Sequence, residues 1–285
     1  MKQTALFTLT IAFIICMIAS AGCTGTSTPS AQPTVMASPA WQAVSINATP
    51  VQYVQVNGIT LGYREFGAGE PLLMLMGFHG IMDNWNETFI GILATKYHVY
   101  TYDHRAMGYS GDDNATPAIS QYADDAAGLM TALGYDSMHV YGVSMGSVIS
   151  QQLTIDHPER VRKLVLDSNT YSIRIPETKT LFNAIEASAT STDVPAGVRK
   201  EAQANLAWNG SWDGLSSIDK DVMLIVGTND ELTPDAVSVQ MAGQIKGSWL
   251  VRFRDVPHAG FAYVPVEYAE NVLNFLSMDE SPLNK

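Results

Sequence analysis

From Val51 onward the chain alternates between two hydrophobic periods. Leu72 to Met76, His98 to Tyr102, His139 to Val143, Val161 to Leu166, Val222 to Val226 and Trp249 to Phe253 are short apolar runs. Runs of that length without a polar alternate suit strands buried on both faces of a sheet. Between and after them, residues 84–96, 120–133, 145–156 and 266–276 carry apolar side chains at helical spacing. Ser120 is the expected N-cap of the second of these helices and Gly134 its end. Tyr53 to Val56 and Ile59 to Glu65 flank Asn57-Gly58, a dipeptide that favours a two-residue hairpin turn. Strands alternating with helices predict an α/β fold, a mostly parallel sheet covered on both faces. No internal repeat interrupts it.

Composition makes one globular domain the default: 285 residues, 46% hydrophobic and 15% charged. A net charge of −12 opposes approach to phosphate backbones and anionic lipid surfaces, so no nucleic-acid partner is expected. No metal-ligand cluster, phosphate loop or dinucleotide fingerprint occurs, and no cofactor is implied.

The N-terminus reads differently. Lys2, an apolar run from Leu6 to Ile18 and the small residues Ala19 to Gly22 make an export signal, 1–22, followed at once by Cys23. Ser-Ala-Gly-Cys resembles the lipobox of prokaryotic lipoproteins, with Ser20 in place of the usual leucine, and implies lipidation of Cys23 and membrane anchoring. The alternative is a plain signal peptide or an uncleaved anchor, although the apolar core is short of the ~20 residues that span a bilayer. Residues 23–50, rich in Thr, Ser, Pro and Ala, read as a flexible tether ahead of a domain at 51–279. Cys16 falls in the removed segment, so no disulfide is expected.

Gly142-Val143-Ser144-Met145-Gly146 fits G-x-S-x-G between a strand and a helix, the context in which a serine hydroxyl stands exposed on a strained turn. A serine needs a base, itself oriented by a carboxylate. Asp230 follows the apolar strand that breaks at Gly227-Thr228-Asn229, and His258 follows the last strand, giving the order Ser, Asp, His. Both lie at the strands' C-terminal edge, where open α/β sheets bind ligands. His98, His139 and His157 sit at strand starts or a helix end and read as packing or surface residues. His79 and His104 precede Ser144 and break the order. Two backbone N–H groups are needed for the developing oxyanion; Met145 and Phe78, the latter in the turn Gly77-Phe78-His79-Gly80, are the candidates.

Together these motifs resemble the α/β-hydrolase family of esterases and non-haem haloperoxidases, over roughly Val51 to Leu276. Leu75-Met76-Gly77-Phe78 is similar to its oxyanion turn, the run from Tyr102 to Ser110 to its D-x-R-G-x-G-x-S loop, and Gly227 to Asp230 to its acid turn. Met76 replaces a histidine and Ala106 a glycine of the family pattern. The resemblance implies a helical cap, here about 169–219, short for such inserts, with helices expected at 178–189 and 194–206. Trp208 and Trp212 either face the pocket or pack. Phe78, Met82, Met107 and Met145 either line an apolar acyl pocket or fill the core.

The expected function is hydrolysis of a small or medium apolar carboxylic ester through an acyl-enzyme on Ser144, with His258 as base and then acid and Asp230 holding its tautomer. Perhydrolysis, thioester cleavage and carbon-carbon hydrolysis remain open on the same residues, as does a binding protein that kept only the fold. Relatives with a carboxylate nucleophile are disfavoured by Ser144.

Overall fold

The computed structural model describes residues 44–278; the leader, Cys23 and most of the tether lie outside them. Eight strands make one sheet: β1 (Gln52–Val56), β2 (Ile59–Phe66), β3 (Glu70–Leu75), β4 (Tyr97–Tyr102), β5 (Met138–Val143), β6 (Val161–Asp167), β7 (Asp221–Gly227) and β8 (Trp249–Phe253). Their order is β1-β2-β4-β3-β5-β6-β7-β8. β1 and β2 form the hairpin expected at Asn57-Gly58, Val56 pairing with Ile59, and both turn residues take positive φ, 46° and 81°. β2 also meets β4 antiparallel, and every later pairing is parallel.

The central strands are buried on both faces because helices cover both. Alternate residues diverge: Leu73, Leu75, Val140, Leu164, Leu166 and Leu224 pack with α2 (Ile119–Ala132), α3 (Met145–Asp156) and α7 (Asp235–Gln244). Leu72, Met74, Tyr141, Val165 and Met223 pack with α1 (Glu87–Leu93) and α8 (Pro265–Ser277) on the other side. Between β6 and β7 lies the cap, with α4 (Lys179–Thr190), α5 (Ala196–Ala207) and the single turn α6 (Trp212–Leu215). Ile173, Leu181, Ile185, Ala189 and Ala202 give it a small core of its own.

Several boundaries differ from expectation for local reasons. The helix expected over 84–96 is a 3-10 turn at Met82–Asn84 and then α1, because the Asn86 side chain accepts from the N–H groups of Thr88 and Phe89 and so caps a later start. α2 starts at Ile119 with Ala118 as its N-cap, leaving Ser120 inside the first turn without a capping bond. Its end is as expected: Gly134, φ 85°, allows Tyr135 N–H to reach Met130 O at 2.9 Å. Residues ahead of the boundary expected at Val51 also pack on the domain. Ile46 is 2% exposed, and its N–H donates to Glu87 Oε1, so the residues from Val44 already pack on the domain.

Candidate active site

The parallel register aligns three strand ends. Val143 pairs with Asp167 and Asp167 with Ile225, so the residues leaving β5, β6 and β7 emerge side by side. Ser144 is the first residue past β5. It sits at φ 54°, ψ −118°, a conformation L-residues rarely occupy, held because its N–H bonds Asp167 O at 3.0 Å while its carbonyl accepts the first bonds of α3. Such a turn needs bare flanks. A Cβ on Gly142 would lie 2.3 Å from Gly146 O, and one on Gly146 only 2.1 Å from Leu75 O. Strand, elbow and helix therefore close on one another only with glycine at both positions.

His258 and Asp230 are joined. His258 Nδ1 is 2.8 Å from Asp230 Oδ2, the carboxylate fully buried and the ring one-fifth exposed. Asp230 uses all four of its acceptor positions. Oδ1 takes the N–H groups of Leu232 and Thr233 at 2.9 and 2.8 Å, and Oδ2 takes the Thr233 hydroxyl at 2.9 Å besides the imidazole. Burial pulls its pKa up, but the bond and charge of His258 and the Thr233 donors outweigh it, leaving the carboxyl below its ordinary value. The bond orients the ring with Nδ1 toward Asp230 and Nε2 on the opposite side. Gly227 makes room for the histidine loop: a Cβ there would lie 1.9 Å from Val256 O.

Asp167, the last residue of β6, is buried beside this pair but does not bond His258. Its oxygens take the Tyr141 hydroxyl at 2.7 Å and the Ser168 hydroxyl at 3.0 Å, and burial raises its pKa to about 7. Ser168 Oγ also accepts from the N–H of Ala259, next to His258, at 2.9 Å.

Ser144, Met145, Phe78 and Thr233 line one pocket, completed by Val148, Thr170, Ile173, Leu181, Ile185 and Asn205. It encloses about 10 Å³, barely room for one water. Gly77 lies against the serine, 3.7 Å from a Cβ there to Ser144 Oγ, which brings the Phe78 turn to Ser144. Met145 opens α3, so its N–H has no acceptor within the helix. Both N–H candidates thus belong to the lining of the serine's pocket.

Other residues left open between pocket lining and packing take packing positions. Met82 and Met107 are core residues, the former donating its N–H to Asp103 Oδ1 at 2.6 Å. Trp208 is buried with its indole N–H on Gln152, and Trp212 lies over Tyr171 at 4.5 Å, half outside. Ala106 keeps the left-handed conformation of the glycine it replaces, φ 64°. His98, His139 and His157 pair with Glu65, Glu70 and Asp124, as suits packing and surface residues. Thr233, Asn205 and Glu201 were not singled out from the sequence: their contacts arise only when the cap and the acid turn close over the sheet edge.

Residues 70–191 match a family model described as alpha/beta hydrolase fold. A protein of Azorhizobium caulinodans bearing the name carbamate hydrolase RutD is 35% identical over 114 residues, 40% of this chain. That match spans 43% of the relative, less than half of its length. A protein of Synechocystis sp. bearing the name non-heme chloroperoxidase is 26% identical over 246 residues, 70% of this chain and 89% of the relative. Among solved structures, an alpha/beta hydrolase fold protein from Chitinophaga pinensis superposes with a TM-score of 0.70 at 22% identity, covering 81% of this chain and 98% of that one. Sheet order, family model and relatives agree, and the chain is a protein of the α/β-hydrolase fold.

Proposed function

We propose that the protein is a serine hydrolase acting on small carboxylic esters, with Ser144 as nucleophile, His258 as base and then acid, and Asp230 as the carboxylate that fixes the imidazole. One observation carries this reading: the 2.8 Å bond from His258 Nδ1 to a fully buried Asp230, on the loops beside a serine in a strained elbow. In that arrangement the serine proton passes to His258 Nε2 as the hydroxyl oxygen attacks the ester carbonyl. The oxyanion would draw on the N–H groups of Phe78 and Met145, His258 returns the proton to the departing alcohol, and water repeats the sequence on the acyl-enzyme. The narrow pocket, apolar except for Ser144, Thr170, Asn205 and Thr233, favours a short acyl group. Hydrogen peroxide as the second nucleophile is kept as an alternative, because one relative bears the name chloroperoxidase.

A series of nitrophenyl esters of increasing acyl length tests the reading, with peroxide added in a parallel set. The expected result is turnover that falls steeply beyond short acyl chains and is abolished in Ser144→Ala. Equal turnover in that variant would move the nucleophile elsewhere. Export and anchoring through Cys23 remain part of the proposal on the strength of the lipobox-like ending alone; membrane association should be lost, or processing blocked, in Cys23→Ser.

A further inference from the structure

Besides Ser144, the pocket has three polar side chains on a wall that is otherwise apolar, and two of them are already spent. Thr170 Oγ1 donates to Ser172 O at 2.7 Å and accepts the Ser172 N–H at 3.2 Å. The Thr233 hydroxyl is committed to Asp230 Oδ2 at 2.9 Å. Asn205 of α5 differs. It is 1% exposed and lines the pocket, and its Nδ2 donates to Glu201 O at 2.9 Å. A carbonyl only accepts, so the orientation of the amide is fixed and Oδ1 is the polar atom left over. Among the described residues no donor reaches that oxygen.

The turn of α5 that carries Asn205 is anchored. One turn earlier, Glu201 Oε2 accepts the N–H of His79 at 2.9 Å and Oε1 meets His104 Nδ1 at 3.0 Å, which ties this part of the cap to the loops after β3 and β4. The amide therefore cannot withdraw easily from the pocket. A substrate group that fills so small a space leaves no room for water to serve Oδ1. If that group is an alkyl chain, a buried acceptor stays unpaired, which is unfavourable; if it carries a donor, the acceptor is satisfied.

We propose that Asn205 is the specificity-determining residue of the acyl pocket: its Oδ1 accepts a hydrogen bond from a hydroxyl on the acyl chain, so the site takes esters of short hydroxy acids ahead of the isosteric alkanoates. This rests on the function proposed above and narrows its substrate class. The rest of the wall suits such a group, since the side chains of Val148, Ile173, Leu181 and Ile185 enclose carbon atoms and carry no competing acceptor. A neutral hydroxyl fits better than an ammonium, because no carboxylate is among the described residues that line the pocket and an unpaired buried charge is costly.

Ethyl glycolate and ethyl propionate differ only by a hydroxyl in place of a methyl, and dividing by their rates with hydroxide removes the difference in intrinsic reactivity. In the wild type the glycolate-to-propionate ratio of kcat/KM, normalised in this way, should be about tenfold or more. In Asn205→Leu it should fall to within about threefold of unity. Asn205→Ala repeats the comparison should the leucine impair folding, which Tm would report. A normalised ratio near unity in the wild type, or a preference that survives substitution, would overturn the proposal. A second readout needs no turnover: titration with glycolamide and with propionamide, followed through the side-chain amide resonances of Asn205. Glycolamide should shift them at the lower concentration, and an equal response to both amides would count against the assignment. If neither ester showed Ser144-dependent turnover, the proposed function would fail, and the titration would decide the role of Asn205 on its own.

Discussion

Two aspartates stand at neighbouring strand ends, one leaving β6 and one in the turn after β7, and they are driven in opposite directions. Both are buried, and burial raises both. Asp230 is brought below its ordinary pKa by an imidazole, two backbone N–H groups and a hydroxyl. Asp167 has two hydroxyl partners and no backbone donor, and it rises to about 7. Depth is therefore not what makes a carboxylate serve as an anion. The difference lies in the loop: residues 230–233 fold back so that their own amides face the side chain, whereas Asp167 is still in the strand and its backbone groups are committed to the sheet. Asp230 suits an ionised partner for an imidazolium. Asp167 suits a group that links Tyr141 to Ser168 and, through Ser168 Oγ, supports the N–H of Ala259.

Substitution to the isosteric amide should split the pair most widely. Asp230→Asn is expected to lower kcat by about three to four orders of magnitude, since the amide removes the charge and permits the wrong histidine tautomer. Asp167→Asn should stay within about threefold, because an amide can replace a carboxyl that is already close to neutral. A large loss from Asp167→Asn with a small one from Asp230→Asn would exchange the two roles.

Thr233 sharpens the comparison at smaller amplitude. Its hydroxyl donates to Asp230 Oδ2 and lies 3.3 Å from His258 Nδ1. Thr233→Val removes one of the donors that hold Asp230 down, and stability should fall by about 1 kcal/mol, read as a lower Tm, with a modest loss of kcat/KM.

The dependence of stability on pH should have opposite sign for the two groups. Asp167 keeps its proton in the folded chain up to about 7 but loses it near 4 when unfolded, so its contribution to stability declines as pH rises through that window. The slope is at most about 1.4 kcal/mol per pH unit. Asp230 has a lowered folded pKa, so its contribution is present above the ordinary carboxylate value and is lost as pH falls through the folded one. From pH 4 to 8, Tm should decline less, or rise more, with pH in Asp167→Asn than in the wild type. Identical slopes would mean that Asp167 is ionised in the native state.

The same contrast explains what could be read from the sequence. The elbow, the acid turn and the histidine loop are legible because each is local: a strand of buried residues, a glycine that lets the chain turn, and the chemical residue next in line. The sheet follows for the same reason, since strands such as β5 are apolar throughout. Less legible are starts that depend on which polar side chain wins a backbone N–H, as with Asn86 rather than Asn84 at α1. Met82 and Met107 have the composition of pocket residues, and only packing assigns them to the core. Least legible are the contacts that join distant segments. Glu201 meets His104 across 97 residues and His79 across 122, and Ala259 meets Ser168 across 91. No period or spacing in the chain announces them.

The most direct test of the central claim, that Ser144 is activated by the His258–Asp230 pair, is labelling of the purified protein with a fluorophosphonate, followed by peptide mapping. One adduct is expected, on Ser144, absent in Ser144→Ala and formed far more slowly in His258→Ala and Asp230→Asn, with the rate in Asp167→Asn close to wild type. No adduct, or an adduct on another serine, would contradict it.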